Sequence, residues 1–141
     1  MKRIIIILFV FIFLTGCKTE DVEIVNKVLK DDKYNISINV NDNIKSDTKL
    51  IVEEITKDYS KLLKTDKYRV YNISLSNKEK LNNKVKVNLT LPVDFSRENI
   101  KVYYLKDDKI KEEYDVEINK DRVSFYTTHL SEFALVELKG E

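Results

Sequence analysis

The sequence predicts an all-β fold: a single antiparallel β-sandwich with at most one or two short helical turns. Three observations carry that expectation. Apolar residues recur with a period of two in eight or so short stretches. Asn and Asp residues punctuate those stretches where turns are wanted. Little of the chain between them reads as helix, a pattern that favours two packed sheets, with a closed barrel as the competing arrangement.

Taken in order, residues 18–30 admit several readings. Val22, Val25, Val28 and Leu29 have helical spacing, yet the stretch also reads as a tether followed by a short strand. From Tyr34 the period becomes two, with Tyr34, Ile36, Ile38 and Val40 alternating with Asn35, Ser37 and Asn39. Leu50 to Ile55 reads as a strand, and Asp58 to Lys64 as a helical turn carrying Tyr59, Leu62 and Leu63. Tyr68 to Leu75 places Tyr71, Ile73 and Leu75 on one face. Val85, Val87, Leu89 and Leu91 alternate with Lys84, Lys86, Asn88 and Thr90, and Pro92 ends that strand because proline cannot donate to a ladder. Ile100, Val102 and Tyr104 make the next strand, and Tyr114, Val116 and Ile118 another. Val123, Phe125 and Thr127 precede a last strand from Phe133 to Leu138.

Glycine occurs only at Gly16 and Gly140, so backbone positions with positive φ are expected to fall on Asn or Asp. Asp31-Asp32, Asn41-Asp42-Asn43, Asn82-Asn83 and Asp107-Asp108 are the expected turn sites. The same shortage excludes a phosphate-cradling P-loop, a dinucleotide fingerprint and a nucleophile elbow.

Ahead of the fold lies a different kind of segment. Lys2 and Arg3 precede an apolar run of eleven residues, Ile4 to Leu14, and two small residues then lead to the single cysteine, Cys17. This is the anatomy of a secretory signal peptide. The run is too short for a membrane span, which needs about 20 apolar residues, and Lys18-Thr19-Glu20-Asp21 is too charged to extend it. Leu14-Thr15-Gly16-Cys17 resembles the lipobox of bacterial lipoproteins. The resemblance implies cleavage between Gly16 and Cys17, a covalent diacylglycerol on the Cys17 sulfur, and residence on the extracytoplasmic face of the cell membrane. Acylation removes Cys17 as nucleophile, metal ligand or disulfide partner.

Cleavage there leaves 125 of the 141 residues, one domain's worth. Lys2 and Arg3 depart with the signal peptide, which turns a balance of 25 basic to 24 acidic residues from +1 into −1. Basic and acidic residues alternate, and nothing in the balance suggests nucleic acid. With no second cysteine, stability must come from packing. The expected organisation is a signal peptide at residues 1–16, a lipidated cysteine and tether at 17–30, and a monomeric sandwich at 31–141.

The stretch from Val85 to Val136 is similar to a module recurrent in Gram-positive surface and secreted proteins. The resemblance rests on Leu91-Pro92, Val102-Tyr103-Tyr104, and then Phe125, Thr127, His129, Ser131, Phe133 and Ala134. Leu50-Ile51-Val52 and Tyr71-Asn72-Ile73-Ser74-Leu75 look like its earlier strands, which extends the likeness from about Tyr34 to Leu138. Leu130 and Phe133 depart from the module's usual residues, and the hairpin at Asp107-Asp108 lacks its customary glycine. The resemblance implies an immunoglobulin-like or ZU5-like sandwich that builds surfaces and is not a catalyst.

His129, Ser131 and Asp121 are the residues from which a nucleophilic triad would have to be built, and such a triad requires convergence and oxyanion donors. The favoured reading is that His129 and Ser131 fasten the last loop to a neighbouring strand. No metal is expected: one histidine and an acylated cysteine fall short of a zinc site. Asn39, Asn41 and Asn43 imitate a calcium loop without its glycine or final glutamate. Tyr68, Tyr71, Tyr103 and Tyr104 are candidates for a stacking platform, with ordinary strand residues as the plainer reading. The functional expectation is a lipid-anchored binding or structural module whose partner is an envelope protein or polysaccharide. The alternatives are an envelope-directed hydrolase using Ser131 and His129, and an immunity-type lipoprotein that inhibits another protein through a sheet edge.

Overall fold

The structure, a computed structural model, describes residues 22–78 and 80–139, with side chains from Asn26 onward. The signal peptide, Gly16 and Cys17 lie outside the described residues. Ten strands and one helical turn follow each other as β1 (Val22–Asp31), β2 (Ile36–Lys45), β3 (Leu50–Ile55), α1 (Ser60–Leu63), β4 (Tyr68–Leu75), β5 (Val85–Thr90), β6 (Ile100–Lys106), β7 (Lys109–Tyr114), β8 (Glu117–Asn119), β9 (Arg122–Thr127) and β10 (Glu132–Glu137). They form two five-stranded sheets, β1-β2-β5-β9-β8 and β3-β4-β10-β6-β7, and every neighbouring pair is antiparallel. This is the all-β sandwich that the alternation predicts.

Each sheet turns one side of its pleat inward. Ile36, Ile38, Val40, Val85, Val87, Leu89, Val123 and Phe125 from the first sheet meet Tyr71, Ile73, Leu75, Val102, Phe133 and Leu135 from the second in one core. The second sheet is covered on its other face as well. Tyr59 and Leu63 of the helical turn lie on Val70, Leu105, Ala134 and Val136. That explains why β10 has four consecutive buried residues: Phe133 and Leu135 point at the first sheet, Ala134 and Val136 at the turn. The first sheet instead keeps a wet outer face, where Asn88, Ser37, Asn39 and Ser124 are hydrogen-bonded to each other.

Several expectations change. Residues 22–30 are not tether: β1 runs from Val22 and pairs with β2 along all ten residues, so the sheet begins well before residue 31. Asn41-Asp42-Asn43 is not a turn but part of β2, opposite Asn26, Val25 and Ile24. The stretch Tyr114 to Ile118 is not one strand. Tyr114 ends β7 in one sheet and Ile118 sits in β8 of the other, with the crossover at residues 115–116. β7 escapes alternation reading because five of its six residues are exposed at a sheet edge, where charge is protective.

Positive φ does not fall on Asn and Asp alone. Asn35, Asn99, Asp107 and Asp108 adopt it, but so do Lys64, Lys78 and Lys120. Asp107 and Asp108, at φ 53° and 60°, form the two-residue loop between Lys106 and Lys109, the demand of a type I′ hairpin. Lys120, at φ 58°, opens the two-residue loop between Asn119 and Arg122, where a type II′ turn prefers glycine.

Candidate functional site

Strand order gathers three loops and the β6–β7 hairpin at one end of the sandwich. Residues 46–49 join β2 to β3, residues 76–84 join β4 to β5, and residues 128–131 join β9 to β10. Ser76 N donates to the Lys49 carbonyl at 2.9 Å and Lys49 N to Ser76 Oγ at 2.8 Å. Asn77 Nδ2 donates to Thr48 Oγ1 at 2.8 Å and to Asp47 Oδ1 at 3.1 Å. Between the second and third loops opens a cleft of about 440 Å³, lined by Ser74, Leu75, Lys78, Lys80, Leu81, Thr128, His129 and Leu130.

His129 forms one wall, and its surroundings are aromatic. Its ring lies 4.4 Å from Tyr104 and is stacked on Phe133 at 6.2 Å. Tyr114 packs on Phe125 at 5.0 Å and on Phe133 at 6.0 Å, and those two phenylalanines are 5.2 Å apart. The polar atoms of this group form a chain across the two sheets. Glu112 Oε2 accepts from the Tyr114 hydroxyl at 2.7 Å and faces His129 Nε2 at 2.8 Å. Tyr114 Oη is 3.0 Å from Thr127 Oγ1, which donates to the His129 carbonyl at 3.0 Å and accepts the His129 N–H at 3.3 Å. Burial pushes the Tyr114 phenol well up, so it stays a neutral donor. The hydrogen bonds from Tyr114 and His129 hold the Glu112 carboxyl below its usual value.

Phe125, Thr127, His129 and Phe133 are thus brought into one cluster. Ser131 contributes through its backbone: its carbonyl accepts the Ile73 N–H of β4 at 2.9 Å. Asp121 lies at the far end of β9, about 20 Å from Thr127 at the usual strand rise. Its carbonyl accepts the Leu91 N–H there. The acid that does meet His129 is Glu112, which sequence spacing could not reveal, because β7 is a run of exposed charges seventeen residues away. The four tyrosines proposed as a platform are divided between faces. Tyr71 and Tyr104 belong to the inter-sheet core, whereas Tyr68 and Tyr103 pack under the helical turn. Burial raises the Tyr71 phenol to about 12.

A second polar constellation supports the cleft from behind. Asp42 points inward from β2 and is only 2% exposed. Its Oδ2 accepts the N–H groups of Asn82 at 2.6 Å and Asn83 at 2.8 Å. Its Oδ1 accepts Asn43 N at 2.9 Å and Asn82 Nδ2 at 3.3 Å. Burial works to raise this carboxyl, but the backbone donors Asn83, Asn43 and Asn82 together hold it below the ordinary aspartate value. The carboxylate therefore latches the loop that carries Leu81 to the end of β2. Read as part of a turn, Asp42 gave no signal of this; its parity with Ile36, Ile38, Val40 and Ile44 would have given one.

Among the described residues no cluster of three His, Cys, Asp or Glu side chains could hold a metal ion, and no helix is long and apolar enough to cross a membrane. Fold and side chains together define an all-β sandwich with an aromatic closing cluster and an open cleft at one end. No protein-family model matches the chain, and a search of curated proteins finds no match.

Proposed function

We propose that the protein is a lipid-anchored lipoprotein on the extracytoplasmic face of the cell membrane, presenting one β-sandwich as a binding or structural module of the envelope. The observation that carries the reading is Leu14-Thr15-Gly16-Cys17 at the end of an apolar run, on the single cysteine of the chain. The sheet that follows is consistent with it, since β1 begins five residues after Cys17 and leaves only a short leash. On this reading Phe125, Thr127, His129, Ser131 and Phe133 are structural residues of the immunoglobulin-like or ZU5-like module, acting by packing and hydrogen bonding. The hydrolase alternative draws no support from the site, because Glu112 and Tyr114, not a serine, stand against His129 Nε2.

Two acyl chains on Cys17 would bury about thirty methylenes, each contributing about 0.8 kcal/mol, so detachment should be negligible. The test is Cys17→Ala, followed by membrane fractionation and intact mass measurement. The expected result is a precursor that is uncleaved or mis-sorted and carries no lipid. Normal processing and unchanged membrane recovery would overturn the reading.

A second reading, protein inhibition through a sheet edge, is favoured by one flank. Edge strand β7 is charged and bulged against β6 between Tyr104 and Leu105, and edge strand β8 has three residues, both protective features. β1 and β3, the other two edges, also carry exposed apolar side chains, Val28 and Ile51, whereas the exposed Ile110 of β7 stands among lysines and glutamates. An extended peptide would add to that flank.

A further inference from the structure

We propose that the cleft-bearing end of the sandwich rests on the bilayer, with its lysines against anionic lipid headgroups. The inference rests on the lipid-anchored reading and adds to it an orientation and a second membrane contact. Its geometry comes from the ladder. Val22, where β1 starts, pairs with Lys45, the last residue of β2, from which the chain passes directly into residues 46–49. Three residues further along, Val25 pairs with Asp42, whose carboxylate holds Asn82 and Asn83. The next residue, Leu81, lines the cleft. The chain therefore enters the fold at the same end as the cleft and its three loops. Five residue steps separate Cys17 from Val22, a contour of at most about 18 Å. An acylated Cys17 seated in the bilayer holds this end, not the opposite one, near the headgroups.

The chemistry of the end suits that neighbour. Residues 76–84 carry Lys78, Lys80 and Lys84 against one acid, Glu79, and Lys49 adds a further cation from the adjoining loop. Lys49, Lys78, Lys80 and Lys84 are exposed. Acids share this end. Asp42 and Asp47 are hydrogen-bonded to neutral groups that leave their charge uncancelled, and Asp108 of the β6–β7 hairpin pairs with Lys57. Asp107, Glu132 and, next to the anchor, Glu20 and Asp21 are present too, so the positive excess is confined to the β4–β5 loop. Leu75, Leu81 and Leu130 give the cleft an apolar lining behind its lysine rim. Lysines near an anionic surface are attracted to it within a Debye length, about 8–10 Å at ordinary salt. The far end, with residues 32–35, 91–99 and 120–121, is a sandwich length away.

The test uses the native lipoprotein reconstituted into vesicles of phosphatidylglycerol with phosphatidylethanolamine, or of phosphatidylcholine alone. Acylated Cys17 has no free thiol, so a single introduced cysteine accepts a fluorophore selectively. Thr128→Cys reports from the cleft rim, and Val93→Cys from the opposite end. A lipid-borne quencher should quench the label at 128 at least twofold more than the label at 93. In the anionic vesicles, Lys78→Glu, Lys80→Glu and Lys84→Glu together should lower the quenching at 128, and in phosphatidylcholine they should not. Intact mass on the same sample reads acylation separately. Acylated protein with equal quenching at both positions, or with quenching that ignores the charge reversal, overturns the docking proposal and leaves the anchor standing. Protein with no acyl chains overturns both.

Discussion

Replacing Asp42 tests the latch that joins the cleft loop to the first sheet. The carboxylate accepts two backbone N–H groups from Asn82 and Asn83 and a third from Asn43. Hydrogen bonds to a charged group contribute about 1.5–3 kcal/mol each when the partner would otherwise be stranded. Asn82 and Asn83 are exposed and can turn to water once released, so only part of that is lost. Asp42→Ala should therefore cost about 2–4 kcal/mol, and Asp42→Asn, which keeps one acceptor oxygen, about 1–2 kcal/mol. At about 3–5 °C per kcal/mol for a domain of this size, the alanine variant should melt roughly 10 °C lower. The effect should also depend on pH with a defined sign. The folded carboxyl titrates below the ordinary aspartate value, so its stabilisation is complete above that value and disappears as pH falls through the folded pKa. Thermal melts of wild type and Asp42→Asn should differ at pH 7, and the gap should begin to narrow as pH falls below the ordinary aspartate value and close only below the lower folded pKa. Alanine and wild-type melts within 2 °C at pH 7, or a gap to Asp42→Asn unchanged down to pH 3, would refute the latch.

Two further perturbations address the turn chemistry and the closing cluster. Lys120→Gly relieves a side chain at φ 58° in a two-residue hairpin loop; allowing for the freer unfolded chain, chemical denaturation should show a gain of about 0.5–1 kcal/mol, and a loss would mean that the lysine side chain holds the turn. His129→Ala removes the ring packed on Tyr104 and Phe133 and leaves Glu112 with only Tyr114; the melt should fall by several degrees, at about 1–2 kcal/mol, and an unchanged melt would show that the imidazole is not structural.

How far the sequence could be read depended on how each residue is buried. Strands with one face in the core announced themselves by alternation: β4 spans Tyr68–Leu75 and β9 contains Val123, Phe125 and Thr127, as their parity indicated. Where both faces are covered, or neither is, the signal fades. β10 is buried on both sides and reads as a short apolar run, and β7 is exposed on nearly all of its length and reads as a loop. β1 is ambiguous in sequence because Val22, Val25, Val28 and Leu29 have helical spacing, although the stretch pairs as a strand along its whole length. The aromatic-Thr-x-His pattern pointed to residues that do gather in space, but it could not name Glu112 or Tyr114 as their partners, which depend on a crossing between sheets. Lysines at positive φ were invisible for another reason. Lys120 is held there by a hairpin clamped by ladders on both sides, and Lys64 by ending the helical turn in the left-handed conformation usual for that position.

The two broad faces and the two ends of this sandwich do different work, and the hydrogen bonds show which surfaces are left available. On the outer face of the first sheet, Asn88 donates to Ser37 and Asn39 and accepts from Ser124, while Arg122 donates to Thr90 and to the Asn35 carbonyl. These groups satisfy one another, and beside them the same face carries a shallow groove of about 500 Å³ lined by Lys86, Glu117, Arg122 and Ser124. The outer face of the second sheet is occupied by Tyr59 and Leu63. Along the flanks, charge, a bulge and shortness shield β7 and β8. Besides that groove, two surfaces stand open: the flank of β1 and β3, and the end where the chain enters, with its apolar cleft and lysine rim. Because a short leash would hold that end near the membrane, a soluble envelope partner would meet the flank or the far end first. The orientation proposed for the anchored protein thereby decides which surface serves the bilayer and which serves a partner.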